Sequence, residues 1–119
     1  MPEGTYEKGL RGEAEAIVYC IGRGMELLQR RFHSPFGEID AVLRDGDTLV
    51  LLEVKARRTG GAGAGFLAVD RRKQAHLTRA ALHYLSLHPW EGPIRFDVAE
   101  ITADGVCYVQ DAFQASELH

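Results

Sequence analysis

Four charged side chains, Glu38, Asp40, Glu53 and Lys55, fall in two short runs, GEID at 37–40 and LLEVK at 51–55. Both runs have the composition of β-strands, and Asp45-Gly46 between them is a strong hairpin signal. With a two-residue turn centred on that pair, Glu38 faces Glu53 and Asp40 lies diagonal to Glu53. With the turn moved by one residue, or a four-residue loop, Asp40 faces Glu53 and Glu38 faces Lys55. Side chains on a strand alternate with period two, so either register expects all four on one face. Neighbours of that kind lie ~5–8 Å apart, and carboxylates set opposite each other destabilise a sheet unless a cation joins them. The chemistry such a set could do is to hold a hard divalent ion. Mg²⁺ commonly takes one or two carboxylates together with water and a phosphate oxygen.

The elements that must position these groups follow from apolar spacing and from helix and turn signals. Residues 5–23 read as an amphipathic helix with Leu10, Ile17 and Ile21 on one stripe and Ala14, Ala16 and Val18 beside it. Glu13 falls on that stripe and could reach the same cation from the helix side. Gly22 and Gly24 end the helix, residues 25–32 form a first strand, and Pro35 and Gly37 mark a turn into a second. TLVLLEV, at 48–54, is almost continuously apolar, as befits a strand covered on both faces. Residues 57–66 are expected to form a glycine-rich loop, and Asp70 to cap a helix of about 70–88 that Pro89 terminates. Its inner side is expected to carry Ala75, Leu77, Ala81, Leu82 and Leu85. IRFDVAEI gives a further strand, Asp104-Gly105 a turn and VCYVQ a last strand. The order is helix, three strands, helix, two strands. A helical crossover makes the third and fourth strands parallel, so the fold class is α/β: a mixed central sheet with helices packed on it, in a single domain over 1–119.

Bulk composition sets the outer bounds. A chain of 119 residues with 45% hydrophobic and 26% charged content can bury a core without disulfides, which excludes a disordered or collagen-like protein. Cys20 and Cys107 sit in neither a CxxC nor a zinc-type pattern and read as reduced thiols. The polar start MPEGTYEKG has no signal-peptide core, no run is long enough to span a membrane, and a cytoplasmic location is expected. Net charge is −3, yet Lys55, Arg57, Arg58, Arg71, Arg72, Lys73 and Arg79 face only Asp70 across 55–79. A basic stripe of this kind is the footprint that phosphate contact needs.

GEID at 37–40 followed by LLEVKAR at 51–57 resembles the signature of the PD-(D/E)xK nuclease superfamily, whose fold is restriction-endonuclease-like. More narrowly, GLRGEAEA at 9–16, FGEIDAV at 36–42, LLEVKARR at 51–58, AVDRRKQ at 68–74 and RFDVAEI at 95–101 are similar to the bacterial YraN-like family of predicted endonucleases. The resemblance implies that Asp40 and Glu53 bind metal and that Lys55 assists the attacking water and the developing phosphate charge. It also matches Glu13 to the helix-one acid of the archaeal Holliday-junction resolvase branch. Two departures stand out: Ile39 occupies the place of the signature proline, and Arg31 stands where an asparagine is common.

The expected activity is therefore a Mg²⁺- or Mn²⁺-dependent endonuclease acting on DNA rather than RNA, on branched or repair intermediates. The expected ligands are Asp40, Glu53 and the Val54 carbonyl, with Glu13 and Glu38 as further candidates. Arg57, Arg58, Arg71, Arg72 and Lys73 would grip flanking phosphates. The alternative is a nucleic-acid-binding module of the same fold without independent activity. A homodimer would double the basic surface, and the sequence does not reveal one. The GGAGAG run lacks the GK[ST] ending of a phosphate-binding loop. His76 and His83 are expected outside any metal site, Trp90 to cap the core, Asp97 to pair with an arginine, and Gln74 to lie near the site.

Overall fold

The computed structural model is described over residues 5–56, 70–115 and 118, and over side chains from Arg11 onward. Helix α1 spans Thr5–Gly22, and strands β1 (Glu26–Ser34), β2 (Gly37–Asp45) and β3 (Thr48–Ala56) follow as a meander. Helix α2 (Arg71–Leu87) then crosses to β4 (Ile94–Thr102), which turns into β5 (Gly105–Phe113). The sheet order is β1-β2-β3-β4-β5, with β3 and β4 parallel and every other pair antiparallel. This is the mixed α/β sheet expected from the element order, and it is consistent with a restriction-endonuclease-like fold.

Each face of the sheet carries one helix and its own apolar cluster. Ala16, Ile17 and Cys20 of α1 pack on Ala41, Leu43, Val50, Leu52 and Ala99. Leu77, Ala80, Ala81 and Tyr84 of α2 pack on Phe32, Ile39, Val42, Leu49, Leu51 and Phe96. Because β3 lies between two strands and under two helices, Leu49 to Leu52 are all buried, which accounts for its unbroken apolar run. Full burial of such a side chain contributes roughly 1.5–3 kcal/mol.

Two helix faces differ from the expected stripes. In α1 the inward positions are 13, 16, 17 and 20, while Val18 and Ile21 are 68% and 51% exposed. In α2 Ala75 and Leu82 face outward, and Thr78, Ala80 and Tyr84 take the inner side with Leu77 and Ala81. Leu77, Ala81 and Leu85 of α2 and Ile17 of α1 lie on the inner side as expected, while Ala75, Leu82 and Ile21 do not; the side chains that meet the sheet fix the phase. Asp70 caps α2 as expected, its Oδ1 accepting the Lys73 N–H at 2.9 Å.

The β2–β3 turn settles the register left open above. Asp45 pairs with Thr48, so Gly46 and Asp47 are the central residues, and the ladder runs on to Ala41↔Leu52. The first central position of such a hairpin turn wants a positive φ, and Gly46 supplies it at 63°. The turn is thus displaced by one residue from Asp45-Gly46, and the second register holds.

Candidate metal-binding and nuclease site

Past Ala41 the period-two pattern of β2 is interrupted. Ile39 and Val42, three residues apart, both pack on the α2 side, whereas Ala41 and Leu43 pack on the α1 side. The interruption falls at Asp40. On the facing strand, between Phe32↔Ile39 and Arg30↔Ala41, Arg31 adopts a left-handed φ of 52°. That conformation costs a non-glycine residue roughly 1–2 kcal/mol. Both strands carry the irregularity at the same level, so their pairing stays in step on either side.

The kink gives Asp40 its role. Its Oδ2 accepts the Val54 N–H at 2.7 Å, a main-chain donor beyond the last β2–β3 ladder pair. Burial, then the negative charge of Glu53, push the Asp40 carboxyl up to about 7; Glu13 adds to the rise, and the Val54 N–H and Lys73 oppose it. Glu53 and, more weakly, Glu13 thus both disfavour the ionised form of Asp40.

Glu53 lies next to the α2-facing residues Leu49 and Leu51 on β3 and is buried. Its Oε1 is 3.4 Å from Lys55 Nζ and 3.3 Å from Lys73 Nζ. Lys73 reaches it from the first turn of α2, which Asp70 holds in place. The sequence had suggested Lys73 only as a phosphate contact; its pairing with Glu53 depends on how α2 crosses the sheet, which no local pattern encodes.

Glu13 is turned inward and only 13% exposed, but it is already paired. Arg31 Nε donates to Oε1 at 3.0 Å and Nη2 to Oε2 at 3.3 Å, a two-pronged contact, and Arg30 Nη2 lies at 3.9 Å. Adjacent residues on a regular strand point to opposite faces; the left-handed φ at Arg31 lets both arginines approach one carboxylate. Glu38 does not join the group. It is 57% exposed and pairs with His33 Nδ1 at 2.9 Å, because the interruption at Asp40 ends the alternation on which its placement relied.

Arg71 and Arg72 are exposed at the start of α2, beside Lys73. Arg57 and Arg58 lie outside the described residues, as does the glycine-rich run. Glu100 escaped notice in the sequence: it is buried on β4 and pairs in register with Lys55, a consequence of the parallel crossover. His83 packs on Phe32 at 5.9 Å between ring centroids. Trp90 packs against the α2-side cluster and donates to the Pro93 carbonyl, as a core cap does.

Among the described residues no three of His, Cys, Asp and Glu converge as a ready-made ligand set. The available donors are the carboxylates of Asp40 and Glu53 and main-chain oxygen on β3. That hard-oxygen pair, with negative charge in excess at Asp40, suits Mg²⁺ or Mn²⁺ completed by water and substrate, and it does not suit a closed zinc site.

A family model described as "Uncharacterised protein family UPF0102" matches residues 12–101, which contain all of these groups. The chain is 39% identical over 107 residues to a UPF0102 protein of Thermodesulfovibrio yellowstonii, covering 90% of this chain and 96% of that one. It is 38% identical over 106 residues to one of Shewanella loihica, covering 89% and 93%. With one of Halorhodospira halophila it shares 40% over 108 residues, covering 91% and 88%. No described helix is long and apolar enough to cross a membrane.

Proposed function

The chain belongs to the UPF0102 family, and we propose that it is a divalent-cation-dependent nuclease that hydrolyses phosphodiester bonds in DNA. One observation carries the reading: Asp40 is held where burial and Glu53 oppose its ionisation, a conflict that a bound cation would relieve. Asp40 and Glu53, with the Val54 carbonyl, would hold Mg²⁺ or Mn²⁺. Such an ion, when bound, neutralises phosphate charge and lowers the pKa of a coordinated water.

The chain's own residues do the rest. The Val54 N–H fixes the Asp40 carboxylate, and Lys73 orients Glu53 from α2. Lys55, 3.4 Å from Glu53, donates to the attacking water or to the phosphoryl oxygens as negative charge grows on them. Arg71 and Arg72, with Arg57 and Arg58 from the neighbouring segment, grip flanking phosphates without reading sequence, which suits branched or repair intermediates. DNA is favoured over RNA by the resemblance to resolvase-type nucleases.

One observation favours the second reading, a nucleic-acid-binding module without activity of its own. Glu53 already has two ammonium groups beside it, so the site is partly neutralised by the protein itself. Incubation with branched and linear DNA in Mg²⁺ or Mn²⁺ separates the two. Cleavage should fall by at least about a hundredfold in Asp40→Ala, Glu53→Ala and Lys55→Ala. Binding without cleavage in the unaltered protein supports the second reading, and cleavage that survives both acid substitutions refutes the first.

A further inference from the structure

We infer that Arg31 is a positioning residue that keeps Glu13 out of the cation site, so that, among the described residues, Asp40 and Glu53 are the side-chain carboxylates offered to a single ion. The inference rests on the metal-binding reading above and specifies it further. Glu13 is inward-facing on α1 and its partner Arg31 lies level with Asp40 on the neighbouring strand, so an unrestrained Glu13 would be free to bind the same ion or to recruit a second. It is not unrestrained. The guanidinium of Arg31 holds both of its oxygens, and Arg30 stands behind at 3.9 Å.

The grip is built into the backbone. Arg31 is one of two non-glycine residues with positive φ in the described chain, and without that turn of β1 its side chain and that of Arg30 would leave on opposite faces. A planar two-pronged guanidinium also matches a carboxylate in a way that an ammonium does not. A strained residue retained inside a strand, spent on an ion pair beside a candidate site, is a device for setting the charge of that site.

Mn²⁺ titration calorimetry on the full chain, without DNA, tests this independently of activity. The unaltered protein should bind one ion, and Asp40→Asn should abolish that binding. Glu13→Gln should leave the affinity within about threefold, because its charge is already matched. Arg31→Asn, which tolerates the left-handed backbone, should tighten binding about tenfold or add a second ion. That gain should vanish in the Arg31→Asn, Glu13→Gln double variant. The inference is overturned if Arg31→Asn changes nothing, if its gain persists in the double variant, or if Glu13→Gln alone weakens binding tenfold. In each of those cases Asp40-dependent binding leaves the metal-site reading standing. Absence of binding in every variant overturns both.

Discussion

Asp97 and Asp40 are carboxylates on the central sheet, the first buried and the second half-buried, and their surroundings differ in kind. Asp97, on β4 and 1% exposed, is fully served: Arg95 Nε donates at 3.0 Å, the Asp111 N–H at 2.9 Å, and the Tyr108 hydroxyl as well. Arg95 in turn reaches Asp45 at 2.9 Å, tying β4 to the β2–β3 turn. Asp40 accepts one main-chain bond and carries the repulsion of Glu53 and, less, of Glu13. Each centre has its left-handed residue, and the two are used differently. Asp111 (φ 55°) turns its own N–H onto Asp97, while Arg31 (φ 52°) turns its side chain onto Glu13. A buried charge with every partner in place is architecture; one left in conflict marks a candidate site.

The largest effect should come from breaking the satisfied centre. Asp97→Ala leaves Tyr108 and the Asp111 N–H without their acceptor and Arg95 with Asp45 alone, and should cost about 3–5 kcal/mol by denaturant titration. A loss below about 1 kcal/mol would make the two centres equivalent. The next effect has the opposite sign. Asp40 has a folded-state pKa raised to about 7, above the usual value of an unfolded aspartate, so the native state binds its proton more tightly. Stability it contributes is complete below about pH 4 and is lost as pH rises to about 7. Asp40→Asn, which keeps the acceptor for Val54, should therefore stabilise the protein by roughly 2–4 kcal/mol at pH 8 and by almost nothing near pH 4. Equal effects at both values would remove the conflict from the description. The smallest effect belongs to Glu38. Its exposed pair with His33 should be worth under about 0.5 kcal/mol, so Glu38→Gln should change neither stability nor Mn²⁺ binding appreciably.

Much of this was legible in the sequence, for identifiable reasons. Caps, turn residues and the apolar run of β3 are local signals, and they gave the element order and the parallel crossover. Asp40 lies beside the end of β3, on the Val54 N–H next to Glu53, because that placement needed only a hairpin. What failed needed information that spacing does not carry. Glu38 was placed by assuming unbroken alternation, which the paired irregularity at Asp40 and Arg31 interrupts. Lys73 and Glu100 join the neighbourhood through α2 and β4, whose register across β3 is set by packing. Ile21 and Leu82 looked inward by composition and are outward because each helix turns its smaller residues, Ala16 and Cys20 in one and Ala80 and Ala81 in the other, to the sheet.

The parallel seam joins Leu49 to Ile94 across the whole of α2, while the β1–β3 meander and the β4–β5 hairpin each close over a few residues. Loop closure makes distant pairing slow, so the seam should be among the last contacts to form. Asp40 and Glu53 both belong to the early meander and first meet in water, where their repulsion is weak. The penalty arrives when the helices dock and exclude solvent. Speed of folding, and not only the final balance, thus becomes sensitive to proton concentration at the late step.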